Sequence, residues 1–274
     1  MYNSFLSNKL ALLAAVILLA LIVLAVFAPL FTAYDPNYMK ISQRLQSPSI
    51  AHIFGTDEFG RDLYARIIYG GRISLLVGFL TVLISGAAGL TLGILAGFFK
   101  KFDNLLTKII DAMMAFPDIL LAISLVTVLG PTLLNVVIAL SIAYTPRFAR
   151  IARASTLIIK ELPFVEAARA LGINSLKIIQ RHILKNLTSP IIVQATFVFA
   201  HAILAESGLS FLGVGVSPDT PTWGTLINSG QQYSRDSKWV MLFPGLAIVL
   251  AVFSLQIIGD FLRDFLDPKL KKIN

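Results

Sequence analysis

Three ionisable residues lie within or at the ends of long apolar runs of the chain: Asp118, His201 and Glu206. Ionisable groups at membrane depth cost at least about 2.5 kcal/mol on insertion scales, so they usually face protein or water. Such groups can exchange protons or contact polar cargo, which makes all three candidates for a pathway or a gate. Structural roles stay open, since Asp118 can pair with a neighbouring span and a lone histidine is more often a packing residue than a ligand.

A polar segment at 162–186, LPFVEAARALGINSLKIIQRHILKN, has the spacing of two short helices around a tight turn. Pro163 suits the first turn of a helix, because its missing N–H would be unpaired there anyway, and Gly172 suits the position just past a helix end. Asn174 or Ser175 can cap the second helix. We therefore predict a helical hairpin over 162–186.

The first helix of this hairpin has separate charged and apolar faces. Glu166 and Arg169 stand three residues apart on one face. Alanines beside them would let another surface approach the backbone closely, at Ala167, Ala168 and Ala170. The predicted apolar face consists of Phe164, Val165, Ala168 and Leu171. These residue types favour a docking surface over a helix that faces only water.

Several kinds of enzyme chemistry have no supporting motif in the chain. There is no G-x-x-x-x-G-K-[ST] phosphate loop, no H-E-x-x-H and no G-x-S-x-G. The histidines, His52, His182 and His201, do not form a metal-ligand pattern, and cysteine is absent. The sequence thus disfavours an enzyme and predicts neither a metal nor a cofactor.

Composition predicts an all-helical membrane protein. Hydrophobic residues make up 56% of the 274 residues, charged residues only 14%, and the mean hydropathy is +0.79. An apolar helix of about 20 residues crosses a bilayer. We predict six spans, at 9–31, 73–98, 105–129, 132–151, 187–206 and 239–261. The net charge of +8 would suggest nucleic acid in a soluble chain, but membrane topology explains it better here.

The distribution of basic residues predicts the orientation of the chain. An even number of spans puts both termini on one side, and sixteen of the 23 lysines and arginines share that side. The positive-inside rule therefore puts the termini and the 162–186 hairpin in the cytoplasm.

Charged residues also flank the third and fourth predicted spans. Asp111 can reach lipid headgroups or pair with Lys108. Arg147, Arg150 and Arg153 stand three residues apart, and anchoring to anionic headgroups would explain them.

The first span and an outer loop occupy residues 1–71 and a short basic tail occupies 262–274, while a core at 72–261 is what the family resemblance described next implies. The outer loop contains GTDEFGRD at 55–62 and is either a cap over the pathway or a solvated connector. In the second span, Gly89, Gly93 and Gly97 recur every fourth residue, which favours close helix packing.

Two short motifs in the hairpin carry a family resemblance. EAARALG at 166–172, followed by HILKN at 182–186, resembles the coupling signature of ABC importer permeases. Further segments are similar to the dipeptide, oligopeptide and nickel permease family over nearly the whole chain: FGTDEFGRD at 54, YGGRISLLVG at 69, AFPDILLAI at 115, ILAESGLSFLGVG at 203, PTWG at 221 and LFPGLAIVL at 242. The chain resembles the shorter, C-type member of that family's permease pair. It departs from the family at Lys185, where proline is usual, so the second helix of the hairpin is less sharply broken.

The resemblance implies a type I ABC importer fold and a set of partners. The partners would be a second homologous permease, two cytoplasmic ABC ATPase subunits, an extracytoplasmic solute-binding protein and membrane lipid, without nucleic acid. The location would be the cell membrane of a bacterium or archaeon. By the same likeness, the coupling residues toward an ATPase are Glu166, Ala167, Ala168, Arg169 and Gly172.

The function this implies is one half of an ATP-driven import pathway for di- and oligopeptides, with hydrolysis in the partner subunits. Nickel or metallophore complexes and glutathione remain alternative cargoes. An ion-coupled secondary transporter is a rival of another class, with the three ionisable residues as proton or cation sites, although such folds usually show internal repeats that are not seen here. A purely structural membrane protein is the second rival.

Overall fold

The computed structural model describes residues 8–266, and apart from one isolated β-bridge its regular structure there is helical. The α-helices are α1 Lys9–Val26, α2 Ala28–Phe31, α3 Leu63–Phe98, α4 Lys100–Met114, α5 Asp118–Leu129, α6 Leu133–Ile159, α7 Pro163–Ala170, α8 Ser175–Ile178, α9 Leu184–Phe211, α10 Trp223–Gly230 and α11 Trp239–Leu266. Short 3-10 turns occupy Ile41–Gln43 and Gln231–Tyr233, and a π-helical turn at Ile179–Ile183 joins α8 to α9. The predicted tail at 262–274 lies largely outside the described residues.

Four helices of the described chain are long and apolar enough to cross a membrane: α1, α3, the continuous helix Ser175–Phe211, and α11. The number rises to five if the bent pair of α4 and α5 forms one span. The remaining predicted span, 132–151, lies in α6, which has 27 residues but carries three arginines. The fold is therefore an all-helical membrane fold with four or five spans by this measure, against the six predicted.

The predicted span 105–129 is wrong as a single straight helix. Helix α4 ends at Met114, α5 begins at Asp118, and the two are bent by 89°. Pro117 between them has no N–H for a helical hydrogen bond and disfavours helical geometry at Phe116. Helix α4 is amphipathic and exposes the apolar side chains of Phe102 and Leu105. The chain therefore turns sharply instead of continuing straight.

The first predicted span, 9–31, is not one continuous helix in the structure. Helix α1 stops at Val26 and a short turn of helix follows. Arg72 from α3 donates hydrogen bonds to the carbonyls of Ala25 at 2.5 Å and Val26 at 2.7 Å. A cation at these otherwise unpaired carbonyls is favourable because the C-terminal end of a helix carries partial negative charge. Arg72 thus caps α1 and ties it to α3.

Helices α3 and α6 form the most extensive helix pair of the bundle. Gly89, Gly93 and Gly97 face α6, and a Cβ atom on Gly93 would lie only 2.4 Å from the carbonyl oxygen of Ala149. Small residues spaced by four allow two helix backbones to approach this closely. The sequence prediction that these glycines serve helix packing is confirmed.

The segment 32–62, which we call the cap, is folded at 52–62, where several residues are buried, whereas most of its residues from 32 to 50 are exposed. Asp57 accepts hydrogen bonds from the backbone N–H of Phe59 and Arg61, both at 2.9 Å, which fixes the turn in the GTDEFGRD sequence. His52 pairs with Asp62 at 2.8 Å, and Asp62 also caps α3 by accepting from the N–H of Ala65. These polar groups are buried, so residues 52–62 of the cap are folded and do not form a solvated connector.

Candidate functional site: the coupling hairpin and the polar residues of the bundle

The hairpin begins and turns as its residue types predict. Pro163 occupies the first turn of α7, and Gly172 follows the helix with φ of +75°, a backbone conformation that glycine adopts without strain. The N–H of Gly172 donates to Arg169 and that of Ile173 to Ala168, which closes the helix end. Asn174 caps the next helix by accepting from the N–H of Lys177 at 2.9 Å. The predicted start, turn and cap are confirmed.

One face of α7 is anchored and the other is open. Val165 and Ala168 are buried in an apolar cluster that joins α7 to α3, α6 and the helix beyond the turn. Glu166, Ala167, Arg169 and Gly172 are exposed. Among the predicted coupling residues, Ala168 therefore packs into the apolar cluster. The other four are exposed to a partner: Glu166, Ala167, Arg169 and Gly172.

The predicted apolar face of α7 is partly wrong. Phe164 is 42% exposed and Leu171 is 81% exposed, so neither belongs to the buried face. Leu171 lies beyond the last turn of the helix, at the cap, where helical spacing no longer decides orientation. Exposed apolar side chains therefore remain on α7 at Phe164 and at its end at Leu171.

Two cationic side chains attach the hairpin to the C-terminal end of α3. The guanidinium of Arg169 lies 5.4 Å from the ring centroid of Phe98, within range of a cation–π contact. Lys160, just before the hairpin, donates to the carbonyl of Gly97 at 2.9 Å. These two contacts connect the hairpin and the residues just before it to the C-terminal end of α3.

The second helix of the hairpin does not end near residue 186. From Ser175 the chain remains helical through Lys185 to Phe211, with the π-helical turn inside it. Lys185 has a good helix propensity, and the same helix also accommodates Pro190. The hairpin is consequently continuous with the helix that ends at Phe211.

Asp118 forms an ion pair with Arg147 of α6, and the two side chains are 26% and 32% exposed. Asp118 is the first residue of α5, where a carboxylate is favoured by the partial positive charge of the helix start. The guanidinium of Arg147 lies 5.2 Å from the ring centroid of Tyr144. Asp118 thus pairs with a neighbouring helix, which is the structural role that the sequence left open for it.

Two further ion pairs continue in the same direction along α6. Arg150 contacts Asp111 at 3.1 Å and Arg153 contacts Asp103 at 2.6 Å. Asp111 therefore has a partner other than the predicted Lys108 or lipid headgroup. Arg150 and Arg153 likewise have carboxylate partners in place of the predicted headgroups. These pairs fix the bent helices α4 and α5 against α6.

A sequence signal for the three ion pairs existed and was missed. The aspartates at 103, 111 and 118 are spaced by eight and seven residues, which places them near one face of a helix. The arginines at 147, 150 and 153 recur every third residue. Opposite charges on two such faces predict a series of ion pairs between neighbouring helices.

His201 lies on α9 close to this group. Its backbone carbonyl accepts a hydrogen bond from the hydroxyl of Tyr144 at 3.3 Å, and its side chain is half-buried. Within residues 8–266, no group of three or more His, Asp or Glu residues could hold a metal ion. His201 therefore joins Asp118, Arg147 and Tyr144 in one polar cluster of α5, α6 and α9.

Glu206 is separate from that cluster and fully buried. Its carboxylate accepts hydrogen bonds from the hydroxyls of Ser210 at 2.9 Å and Ser74 at 3.2 Å. Ser74 in turn accepts from the N–H of Trp223 at the start of α10. Glu206 thus links α3, α9 and α10 and does not face open space. Ser210 lies one helical turn after Glu206 on α9, whereas Ser74 is 132 residues away and gave no local signal for this role.

The described chain is therefore an all-helical membrane protein with one exposed, anchored hairpin and an internal polar cluster. The described fold matches a chain of the structure of the MetNI methionine ABC transporter in inward-facing conformations, with a TM-score of 0.59 over 73% of this chain and 96% of that chain, at 19% identity. At this identity the match shows a shared fold.

Family models and relatives identify the family. Residues 89–272 match the model of the binding-protein-dependent transport system inner membrane component, and residues 1–48 match the N-terminal transmembrane domain of oligopeptide transport permease C. A Brucella suis protein named as a peptide transport system permease is 49% identical over 93% of this chain and 86% of its own. The dipeptide transport system permease of Alkalihalophilus pseudofirmus is 46% identical over 96% and 87%.

This chain belongs to the binding-protein-dependent transport system inner membrane components, as a C-type permease. It is a multi-pass inner membrane protein and the permease component of its system, not itself an enzyme.

Proposed function

We propose that this permease forms half of the pathway of an ATP-driven importer for di- and oligopeptides. The other half is a second homologous permease, and the remaining subunits are two cytoplasmic ABC ATPases and an extracytoplasmic solute-binding protein. The names of the relatives from Brucella suis and Alkalihalophilus pseudofirmus support peptides as cargo over nickel complexes or glutathione.

In this proposal the core at 72–261 has the type I importer fold. The bent pair α4 and α5 serves as the third span and α6 as the fourth, which makes six spans with both termini in the cytoplasm. The excess of lysine and arginine on the side of the hairpin supports this orientation.

The observation that carries the proposal is the division of α7 into a buried and an open face. Val165 and Ala168 hold the helix, while Glu166 and Ala167 are exposed on a surface that also presents Leu171. An apolar side chain that is 81% exposed at the end of this helix is suited to contact with a protein partner. Differential docking of this surface in two states of the ATPase would bias the pathway between inward and outward access.

The ion-coupled rival has less support from the geometry. Asp118 is neutralised by Arg147 and is therefore a poor cation ligand. Glu206 is fully buried among hydroxyl groups, without contact to a cavity wall. We therefore propose Asp118 and His201, and not Glu206, as residues of the pathway.

Exchange of Glu166 for lysine tests the docking surface. We expect Glu166→Lys to strip the ATPase subunits from the permease pair during purification in mild detergent, because the charge at the centre of the open face is reversed. Glu161→Lys is the matched control, since Glu161 is exposed just before α7 but lies outside its open face. Equal recovery of the ATPases with both variants would contradict the assigned surface.

A further inference from the structure

Helix α4 begins at the end of a long uncharged run. No charged residue occurs at 73–99, which lies in α3 and at its end, and this length is more than enough to cross about 30 Å of hydrocarbon. A Cβ atom on Gly97 would lie 3.0 Å from the carbonyl oxygen of Arg153, so Arg153 of α6 lies beside the last turn of that run. The side chain of Arg153 contacts Asp103 of α4 at 2.6 Å. The first turn of α4 is therefore level with the end of the run, where a membrane-crossing helix reaches the polar surface.

Helix α4 crosses the bundle instead of following it. Helix α5 packs along α6, and α4 is bent from α5 by 89°. From Asp103 to Asp111 the axis of α4 advances by about 12 Å, at a rise of about 1.5 Å per residue. The arginines that pair with these two aspartates, Arg153 and Arg150, are only about 4.5 Å apart along the axis of α6. Helix α4 therefore lies across the bundle, roughly parallel to the membrane surface.

The exposed sides of α4 separate apolar from basic residues. Phe102, Leu105 and Ile109 are 43%, 62% and 46% exposed, and at about 100° per residue they fall within about 60° of one another. Lys101 and Lys108 are exposed along one edge of this apolar face, at about 40–60° from Leu105. Helices that lie in the membrane interface have this pattern, since the apolar face enters the acyl region while the lysines extend to the headgroups.

The charges of α4 that remain without a partner are positive. Its two aspartates, Asp103 and Asp111, are already paired with arginines of α6. Within residues 8–266 no ion-pair partner is present for its lysines, which are Lys100, Lys101 and Lys108. Packing of this surface against an apolar protein face would leave the lysines unpaired. An anionic phospholipid instead offers acyl chains to the apolar face and a phosphate to the lysines.

We infer that α4 is an interfacial helix that binds anionic phospholipids, with Lys101 and Lys108 at the phosphates and the apolar face among the acyl chains. In this arrangement α4 is the surface part of the bent third span and α5 is its crossing part. The hairpin contacts the same end of α3, at Gly97 and Phe98. Helix α4 thus lies on the side that the proposed function puts in the cytoplasm, where the leaflet is negatively charged.

The test places the photo-reactive amino acid p-benzoylphenylalanine at Leu105, in the apolar face. The permease is purified with its associated subunits and reconstituted in liposomes of phosphatidylcholine and phosphatidylglycerol in equal amounts, and mass spectrometry identifies what is cross-linked to it. We expect lipid adducts, with phosphatidylglycerol exceeding phosphatidylcholine about fivefold, the factor expected for one lysine at a charged surface. The same amino acid at Asn104, which is exposed on the polar side of α4, should give few lipid adducts.

Exchange of two lysines tests the role of charge. Lys101→Gln combined with Lys108→Gln should bring the adducts of the two phospholipids to equal yield, because the amide keeps a polar side chain without the charge. Lys177→Gln combined with Lys185→Gln is the matched control, since it removes two exposed lysines from the hairpin and the helix that follows it. This control should keep the preference for phosphatidylglycerol.

Three results would overturn the inference. Cross-links from Leu105 to another protein subunit in place of lipid would make α4 a subunit interface. Equal yields of the two phospholipids with the native lysines would remove the anionic site, and an unchanged preference after exchange of Lys101 and Lys108 would remove their role in it. None of these measurements depends on ATP or cargo, so the proposed function stands or fails separately.

Discussion

Replacement of Gly93 by leucine is expected to remove the folded permease, because α3 and α6 have no room for a side chain at their closest approach. Even the Cβ of an alanine would lie 2.4 Å from the carbonyl oxygen of Ala149 and 2.6 Å from the Cβ of Ala152. Overpacking of this kind costs about 1–3 kcal/mol for small insertions, so Gly93→Ala should be destabilised by that amount and Gly93→Leu by more. Size-exclusion chromatography of detergent extracts measures the folded fraction.

Gly86 on the same helix provides the control. A Cβ there would meet only the ring of Phe148 at 3.7 Å, an ordinary contact distance. Gly86→Ala should therefore keep or slightly raise the amount of folded chain, since alanine favours helix over glycine. If Gly93→Ala and Gly86→Ala behaved alike, close packing of α3 on α6 would not be what holds the bundle together.

Loss of the Asp57 carboxylate is expected to unfold the cap at 32–62. Asp57 is 1% exposed and accepts from Nε of Arg61 at 2.6 Å, with Nε of Arg66 at 3.4 Å. Asp57→Ala leaves both guanidinium groups buried without this partner, and breaking a buried ion pair costs about 3–5 kcal/mol. We expect a lower midpoint of thermal unfolding and rapid proteolysis within 32–62. An unchanged proteolysis pattern would show that the buried charges do not maintain the cap.

Glu58 is the control because burial disfavours its charged carboxylate, whereas the buried carboxylate of Asp57 is stabilised by its ion pairs. Burial, followed by repulsion from Asp57, raises the pKa of Glu58. A raised pKa means that the stability contributed by this group is present below its ordinary value of 4.5 and is lost as the pH rises through the raised pKa. Glu58→Gln should therefore leave the cap intact at neutral pH and remove this part of its pH dependence, as measured by thermal unfolding from pH 4 to 8.

Local signals made the hairpin predictable. The proline at 163, the glycine at 172 and the asparagine at 174 each satisfy a backbone requirement within a few residues, so their roles follow from residue type alone. The regular spacing of Gly89, Gly93 and Gly97 likewise reports the face that packs, and the structure places that face on α6.

Contacts between distant parts of the chain were not predictable in the same way. Which acid Arg147 meets depends on the 89° bend at Pro117, which brings α5 and α4 along α6 in antiparallel order. Burial of Glu206 depends on packing against α3, whose Ser74 is 132 residues away and has no local pattern that connects it with Glu206. The helix through Lys185 also continues past Pro190, so the residue types near the hairpin did not predict where that helix ends.

Peptide uptake by the reconstituted complex is the most direct test of the central claim that this permease is driven by ATP through its hairpin. Liposomes would contain both permeases and the ATPases, with binding protein and labelled trialanine outside and ATP inside or omitted, and an imposed proton or sodium gradient as the alternative energy source. We predict uptake with ATP alone, none with either gradient alone, and loss of uptake in Glu166→Lys but not in Glu161→Lys. Uptake that follows a gradient without ATP, in wild type and Glu166→Lys alike, would contradict the account.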